Sequence, residues 1–123
     1  MARNALTLAV VDDDDDVRAA LSRLLRAMGH RVSLFTSAED FERETVAVDC
    51  VILDVRLPGA SGFELRDRLR SRIVATPVVL ITGDGDSPSA GSATDTPLVT
   101  KPFDDEALAA AIDRAIGSAE LSS

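Results

Sequence analysis

Five consecutive aspartates, Asp12 to Asp16, directly follow an apolar run, LTLAVV, near the start of the chain. Two unit charges about 4 Å apart repel by roughly 1 kcal/mol in water and by about 4 kcal/mol at an effective dielectric constant of 20. Carboxylate oxygens clustered at a strand end suit a hard divalent cation such as Mg²⁺, which would offset this repulsion. We expect Asp15 to cap the following helix, with Asp14 and Asp16 facing water near its positive end.

Three later apolar runs end in side chains of the kinds that reactive sites use. Asp54 follows CVIL, Thr82 follows VVLI, and Lys101 follows LVT. Lys101 is the only lysine, whereas the other 12 basic residues are arginines, which indicates a position that needs a compact point charge. Each residue has an ordinary structural explanation by itself. Their joint occurrence with Asp12 and Asp13 at successive strand ends favours a functional site.

The elements that would position these residues alternate between strands and helices, a pattern typical of a parallel sheet covered by helices. The five predicted strands are Leu6–Val11, Arg31–Phe35, Cys50–Leu53, Val78–Ile81 and Leu98–Val99. Ligands of such sheets lie outside the carboxyl ends of the strands, where the strand order reverses. The three carboxylates, the hydroxyl and the lysine are therefore predicted to meet at one edge.

Helices are predicted from apolar stripes and from capping residues. The first stripe ends at Gly29, in the C′ position, and consists of Val17, Leu21, Leu24, Leu25 and Met28. Pairs resembling capping boxes open two further helices, Ser37 with Asp40 and Ser61 with Glu64. Asp104 or Asp105 is expected to cap a last helix with the stripe Leu108, Ile112 and Ile116. Gly117 to Ser123 reads as a frayed end or linker.

The segment from Asp84 to Pro97, DGDSPSAGSATDTP, contains no Leu, Ile, Val, Met or aromatic residue. A helix here would have no apolar stripe to bury, and such packing supplies most helical stability. We therefore predict a loop or one or two helical turns, so that the fourth helix is short or missing.

Composition excludes several other classes. The net charge of −8 disfavours binding to a nucleic-acid backbone, which needs a clustered positive surface. A single cysteine, Cys50, and a single histidine exclude an internal disulfide and a zinc site of the usual spacing. Cys50 is predicted to be a small buried residue. No apolar run approaches the roughly 20 residues of a membrane span, and no signal peptide is evident, so a cytoplasmic domain is expected.

The stretches VVDDDDDVR, DVRLPGASGFEL, VVLITGDGD and KPF together resemble the receiver domain of two-component response regulators. The resemblance covers nearly the whole chain and is greatest to the receivers of the nitrogen-fixation regulator group. It implies a flavodoxin-like (βα)5 fold, a doubly wound parallel sheet with strand order 2-1-3-4-5. The receiver domain would span residues 1–117, followed by a flexible tail at 118–123.

The resemblance also implies the role of each acidic residue. Asp54 would be the phospho-acceptor, forming an aspartyl phosphate by attack on a kinase phosphohistidine or on a small acyl phosphate. Asp13 and Asp54 would hold Mg²⁺, with Asp12 acting through a water and Arg56 contributing its backbone carbonyl. Lys101 would pair with the phosphoryl oxygens.

Further implications concern the conformational switch of the family. Thr82 would hydrogen-bond the new phosphate and shift, the Lys101–Pro102 bond would be cis, and Gly59 and Gly62 would allow the tight loop after the acceptor. This sequence departs from the family in having Leu98 where an aromatic usually pairs with the threonine.

Two hypotheses concern the fourth-helix region and the residues beside the site. A missing fourth helix would expose Val79, Ile81 and Val99 on one sheet face, to be covered by a partner or by a second copy of the chain in a homodimer. In addition, Asp84 and Arg56 would pair across the site and tune the lifetime of the phosphate.

The leading interpretation is a single-domain response regulator, not an enzyme with turnover. It would receive phosphoryl groups from a sensor histidine kinase or phosphotransfer protein and signal through a protein partner, or act as a phosphate sink. One alternative is a receiver fragment of a DNA-binding transcription regulator. Another is a small haloacid-dehalogenase-like phosphohydrolase, although that family places its nucleophile in an Asp-x-Asp pattern on the first strand.

Overall fold

A parallel sheet and the helices on its two faces make up the computed structural model, which describes residues 5–44, 48–57, 60–61, 64, 67–69, 76–83, 97–101 and 104–122. The strands are β1 (Thr7–Val11), β2 (Arg31–Phe35), β3 (Cys50–Asp54), β4 (Arg56–Leu57), β5 (Ala60–Ser61), β6 (Val78–Thr82) and β7 (Leu98–Thr100). The helices are α1 (Asp15–Ala27), α2 (Ala38–Glu44) and α3 (Asp105–Ser122). Glu64 and residues 67–69 are also helical.

The strand order of the main sheet is β2-β1-β3-β6-β7, and every neighbouring pair in it is parallel. Counting only these five strands in chain order gives 2-1-3-4-5, so the predicted doubly wound, flavodoxin-like fold is confirmed. β4 and β5 form a separate antiparallel pair just after β3. All five residues of β3 and of β6 are buried, as expected for strands covered on both faces.

One face of the sheet packs against α1 and α3. Val79, Ile81 and Val99 belong to this face, where they are buried beside Leu108 and Ile112 of α3. The prediction that these three residues form an exposed face is therefore wrong. Side chains alternate across a strand, and the side of the sheet to which these residues point is the side that α3 covers.

The other face packs against α2 and the helical residues near 67–69. Its core includes Phe41 and Leu69, with the Phe41 ring edge against Phe35 at a centroid distance of 5.3 Å. Leu98 on β7 points away from α3 and is 36 % exposed. Cys50 is fully buried in the α1 and α3 face, as predicted, and burial raises the pKa of its thiol to about 12.

Caps at the helix ends confirm some predictions and correct one. The N-cap of α1 is Asp14, whose Oδ1 accepts from the backbone N–H of Asp16 at 2.9 Å and of Val17 at 3.2 Å. The prediction of Asp15 is wrong by one residue, because Asp14 has the extended backbone of a cap and Asp15 is already helical. Gly29 ends the helix with a positive φ of 94°, as predicted.

The caps of α2 and α3 agree with the sequence. Ser37 Oγ accepts from the N–H of Asp40 at 3.1 Å, and Asp104, one of the two predicted caps, accepts from the N–H of Ala107 at 2.8 Å. α3 stays helical to Ser122, so the predicted frayed end from Gly117 is wrong as secondary structure. The division into a domain at 1–117 and a tail stays a prediction.

Several predictions lie outside the described residues. They concern the fourth helix and Asp84 within residues 84–96, the Lys101–Pro102 bond, Gly59 and Gly62, and the side-chain cap of Ser61. Among the residues that the structure describes, no helix is long and apolar enough to cross a membrane.

Candidate functional site

The five candidate side chains lie at the carboxyl ends of four neighbouring strands. Asp12 and Asp13 directly follow β1, Asp54 and Thr82 are the last residues of β3 and β6, and Lys101 directly follows β7. Backbone hydrogen bonds join these ends: the N–H of Lys101 donates to Thr82 O at 2.8 Å, and the N–H of Val55 donates to Ile81 O at 2.9 Å. The edge that the sequence analysis predicted is thus formed by the sheet itself.

Three carboxylates converge at this edge. One oxygen each from Asp12, Asp13 and Asp54 lies within 4.8 Å of the other two. Asp12 and Asp54 are buried, at 1 % and 6 % exposure, whereas Asp13 is exposed. The group therefore joins two buried oxygen donors to one that reaches solvent, from which an ion could enter.

Asp12 tests whether these residues fit a divalent cation. Its Oδ1 accepts from the backbone N–H of Asp14 at 2.8 Å, but its buried Oδ2 has no hydrogen-bond partner among the described residues. The pKa of Asp12 is raised to about 6, chiefly by burial and also by the nearby Asp54 carboxylate, whereas the hydrogen bond from the Asp14 N–H and the charge of Lys101 lower it. A cation would supply the missing partner and favour the charged form, so the oxygen donors fit Mg²⁺.

Lys101 and Thr82 border Asp54 on its other side. Lys101 Nζ lies 3.9 Å from Asp54 Oδ2, and the lysine side chain is about one-quarter exposed. Thr82 is buried, and its hydroxyl donates to the carbonyl of Gly83 at 3.5 Å. The ammonium group of Lys101 and the hydroxyl of Thr82 are therefore placed to stabilise a negatively charged group on Asp54.

Arg18, on the first turns of α1, contacts this site and was missed by the sequence analysis. Its Nη1 donates to the backbone carbonyl of Asp12 at 2.8 Å, and its Nη2 pairs with the carboxylate of Asp15. The spacing of Asp15 and Arg18 could have indicated a surface ion pair. It could not have indicated the contact six residues back.

The backbone of Arg56 lies in β4, two residues after Asp54. The roles predicted for its carbonyl in metal binding and for its side chain opposite Asp84 stay predictions, because the side chain and Asp84 are outside the described residues.

Fold and site together define a flavodoxin-like domain with an acidic site at its strand ends. The family model of the response regulator receiver domain matches residues 8–113. The chain therefore belongs to the response regulator receiver family and is a phospho-accepting signalling domain. This membership also removes the haloacid-dehalogenase alternative.

Similar proteins include nitrogen-fixation regulators, as the resemblance implied. The chain is 42 % identical over 118 residues to the transcriptional regulatory protein FixJ of Azorhizobium caulinodans, covering 92 % of this chain and 56 % of the relative. It is 40 % identical to the response regulator protein TmoT of Ectopseudomonas mendocina, covering 87 % of this chain and 51 % of the relative. The chain thus spans about half the length of these curated relatives.

Solved receiver structures share the fold. A putative response regulator from Chloroflexus aurantiacus superposes with a TM-score of 0.83 at 29 % identity, covering 93 % of this chain and 99 % of that one. Full-length FixJ from B. japonicum gives 0.83 at 35 % identity, covering 98 % of this chain and 62 % of that one.

Proposed function

We propose that Asp54 of this receiver domain accepts a phosphoryl group in a Mg²⁺-dependent reaction. The donor is the phosphohistidine of a sensor kinase or phosphotransfer protein, or a small acyl phosphate. The observation that carries the proposal is the position of Asp54, a buried carboxylate with two further carboxylates on one side and Lys101 Nζ at 3.9 Å on the other.

In the proposed reaction a carboxylate oxygen of Asp54 attacks phosphorus. The bond from phosphorus to the imidazole nitrogen or acyl oxygen of the donor breaks, and its electron pair leaves with the donor. A carboxylate is a poor nucleophile toward an anionic phosphoryl group unless charge is neutralised. Mg²⁺, when bound, supplies such neutralisation, and Asp12, Asp13, Asp54 and the carbonyl of Arg56 are the groups that would hold it.

Lys101 and Thr82 act on the phosphoryl oxygens. The ammonium group of Lys101 pairs with one oxygen, and the hydroxyl of Thr82 donates a hydrogen bond to another. The phosphate thereby offers the Thr82 hydroxyl a charged acceptor in place of the Gly83 carbonyl, to which it donates at 3.5 Å, and the threonine moves toward the phosphate. Because Leu98 occupies the position of the family's usual aromatic, this movement is transmitted without an aromatic rotation.

The output is a phosphorylation-dependent interaction with a protein partner in the cytoplasm, or the removal of phosphoryl groups from a kinase. A second candidate is that this receiver controls a DNA-binding segment. It is favoured by the name of the FixJ relatives, transcriptional regulatory proteins of which the chain spans 56 % and 57 %. In both cases the domain itself catalyses only its own phosphorylation and dephosphorylation.

Intact mass after incubation with acetyl phosphate tests the proposal. We expect a gain of one phosphoryl group in the wild type with Mg²⁺, and no gain without Mg²⁺ or in Asp54→Asn. Asp16→Asn is the matched control, because it removes an exposed carboxylate of the same acidic run and should leave phosphorylation unchanged. A wild type that gains no mass, or an Asp54→Asn variant that still does, would contradict the proposal.

A further inference from the structure

Arg18 makes two contacts with one guanidinium group, one to the loop that carries the metal-site aspartates and one to Asp15, the first residue of α1. Nη1 donates to Asp12 O at 2.8 Å, while Nη2 pairs with Asp15. The Arg18 side chain is 14 % exposed, whereas that of Asp15 is 88 % exposed. A simple surface ion pair would leave both side chains in water, so the burial of Arg18 reflects its contact with the loop.

The carbonyl that Arg18 holds belongs to the peptide unit between Asp12 and Asp13. Because a peptide unit is planar, fixing its oxygen also restrains the Cα atoms on both sides. The next residue is restrained too, since the N–H of Asp14 donates to Asp12 Oδ1 at 2.8 Å. Arg18 is itself fixed to this loop by its own N–H, which donates to Asp14 O at 3.0 Å.

From this geometry we infer that Arg18 is a positioning residue, which holds Asp12 and Asp13 in the arrangement that binds the divalent cation. The inference rests on the proposed function, because it concerns the same metal site. The planar fork of the guanidinium can reach the carbonyl and the Asp15 carboxylate together. A lysine at this position could not replace both contacts in the same geometry.

The opposite expectation follows if Arg18 acts only through its charge. A positive group next to a cation site repels the cation, so removing it would strengthen Mg²⁺ binding. Positioning predicts weaker binding, because Asp12 and Asp13 must then be ordered by the cation itself. The two explanations therefore differ in the sign of the change in affinity.

The first experiment titrates Mg²⁺ alone into the metal-free protein, followed by calorimetry or amide chemical shifts because the chain contains no tryptophan. We expect Arg18→Met to weaken Mg²⁺ binding about tenfold, the scale on which residues that orient metal ligands act. Arg18→Lys should show most of the same loss although it keeps the charge. Arg23→Met, an exposed position on the same helix, is the matched control and should bind Mg²⁺ as the wild type does.

A second measurement needs no metal and covers the case in which Arg18→Met folds poorly. In Arg18→Lys, hydrogen exchange at the amide of Asp14 should become faster, while exchange in the middle of α1 stays unchanged. Equal or tighter Mg²⁺ binding in Arg18→Met, or wild-type affinity in Arg18→Lys, would overturn the inference and leave the proposed function standing. A wild type that does not bind Mg²⁺ would instead overturn the proposed function.

Discussion

The site has two halves that are held in different ways. In the acidic half, formed by Asp12, Asp13 and Asp54, the Asp12 carboxylate accepts a backbone hydrogen bond from Asp14, and one oxygen of each carboxylate lies within 4.8 Å of the other two. In the Thr–Lys half, formed by Thr82 and Lys101, the strong contact is between backbones at 2.8 Å, and Lys101 Nζ remains 3.9 Å from Asp54 Oδ2. The half that would bind the cation is thus already arranged before the cation binds. The side chains of the half that would contact the phosphate can still move toward it.

The largest effect is expected from breaking the acidic half at Asp13. Asp13→Asn removes the exposed carboxylate of the cluster, so Mg²⁺ binding should weaken by at least about tenfold, and phosphorylation by acetyl phosphate should weaken with it. Titration calorimetry and intact mass measure the two losses. Asp16→Asn is the control with the same change in charge, and an equal loss in both variants would show that only overall charge matters.

A change in the Thr–Lys half should separate phosphorylation from metal binding. Lys101→Met removes the ammonium group beside Asp54, so the rate of phosphorylation should fall by about tenfold to a hundredfold. Mg²⁺ affinity should stay the same or rise, because a positive charge near the site is lost. Loss of Mg²⁺ binding in this variant would mean that the two halves are not built independently.

Burying the Asp12 carboxylate should make the unfolding free energy of the metal-free protein depend on pH. The pKa of Asp12 is raised from 3.8 to about 6, so the metal-free folded protein holds this proton more tightly than the unfolded chain does. The resulting stability is present below about pH 4 and lost as the pH rises through 6. Asp12→Asn does not titrate, so it should be more stable than the wild type by about 1–3 kcal/mol at pH 7.5 and gain nothing near pH 4. Urea unfolding in EDTA measures the difference, and a gain that is equal at both pH values would contradict the assignment.

The smallest effect concerns the helix cap beside the acidic half. Asp14→Ala removes the acceptor for two backbone N–H groups and should cost about 1 kcal/mol of unfolding free energy. Asp15→Ala removes only an exposed pair and should cost less than about 0.5 kcal/mol. Thermal unfolding of the two variants compares them directly, and the reverse order would favour Asp15 as the cap.

The meeting of Asp12, Asp54, Thr82 and Lys101 could be predicted because each one ends a recognisable apolar run. Parallel strands bring all their carboxyl ends to one edge, so identifying the strands was sufficient to locate the site. The receiver family resemblance then supplied roles that spacing alone could not supply.

The wrong predictions concern features for which the local sequence fits more than one structure equally well. Five identical aspartates offer several caps, and only the extended backbone at Asp14 decides among them. Val79, Ile81 and Val99 were assigned to the wrong side because β6 and β7 both carry apolar residues on their two faces. Arg18 could not be found from spacing, since its contact with Asp12 depends on how the loop folds back onto the first turns of α1.

Cys50 lies in the central strand β3, fully buried, and is the only cysteine of the chain. An alkylating reagent can therefore reach its sulfur only when the sheet opens, and each opened molecule can be labelled once. The rate at which Cys50 is labelled under native conditions therefore reports how often the sheet opens. Labelling rates measured with and without Mg²⁺ would report how much a cation bound at the strand ends suppresses opening of the sheet around Cys50.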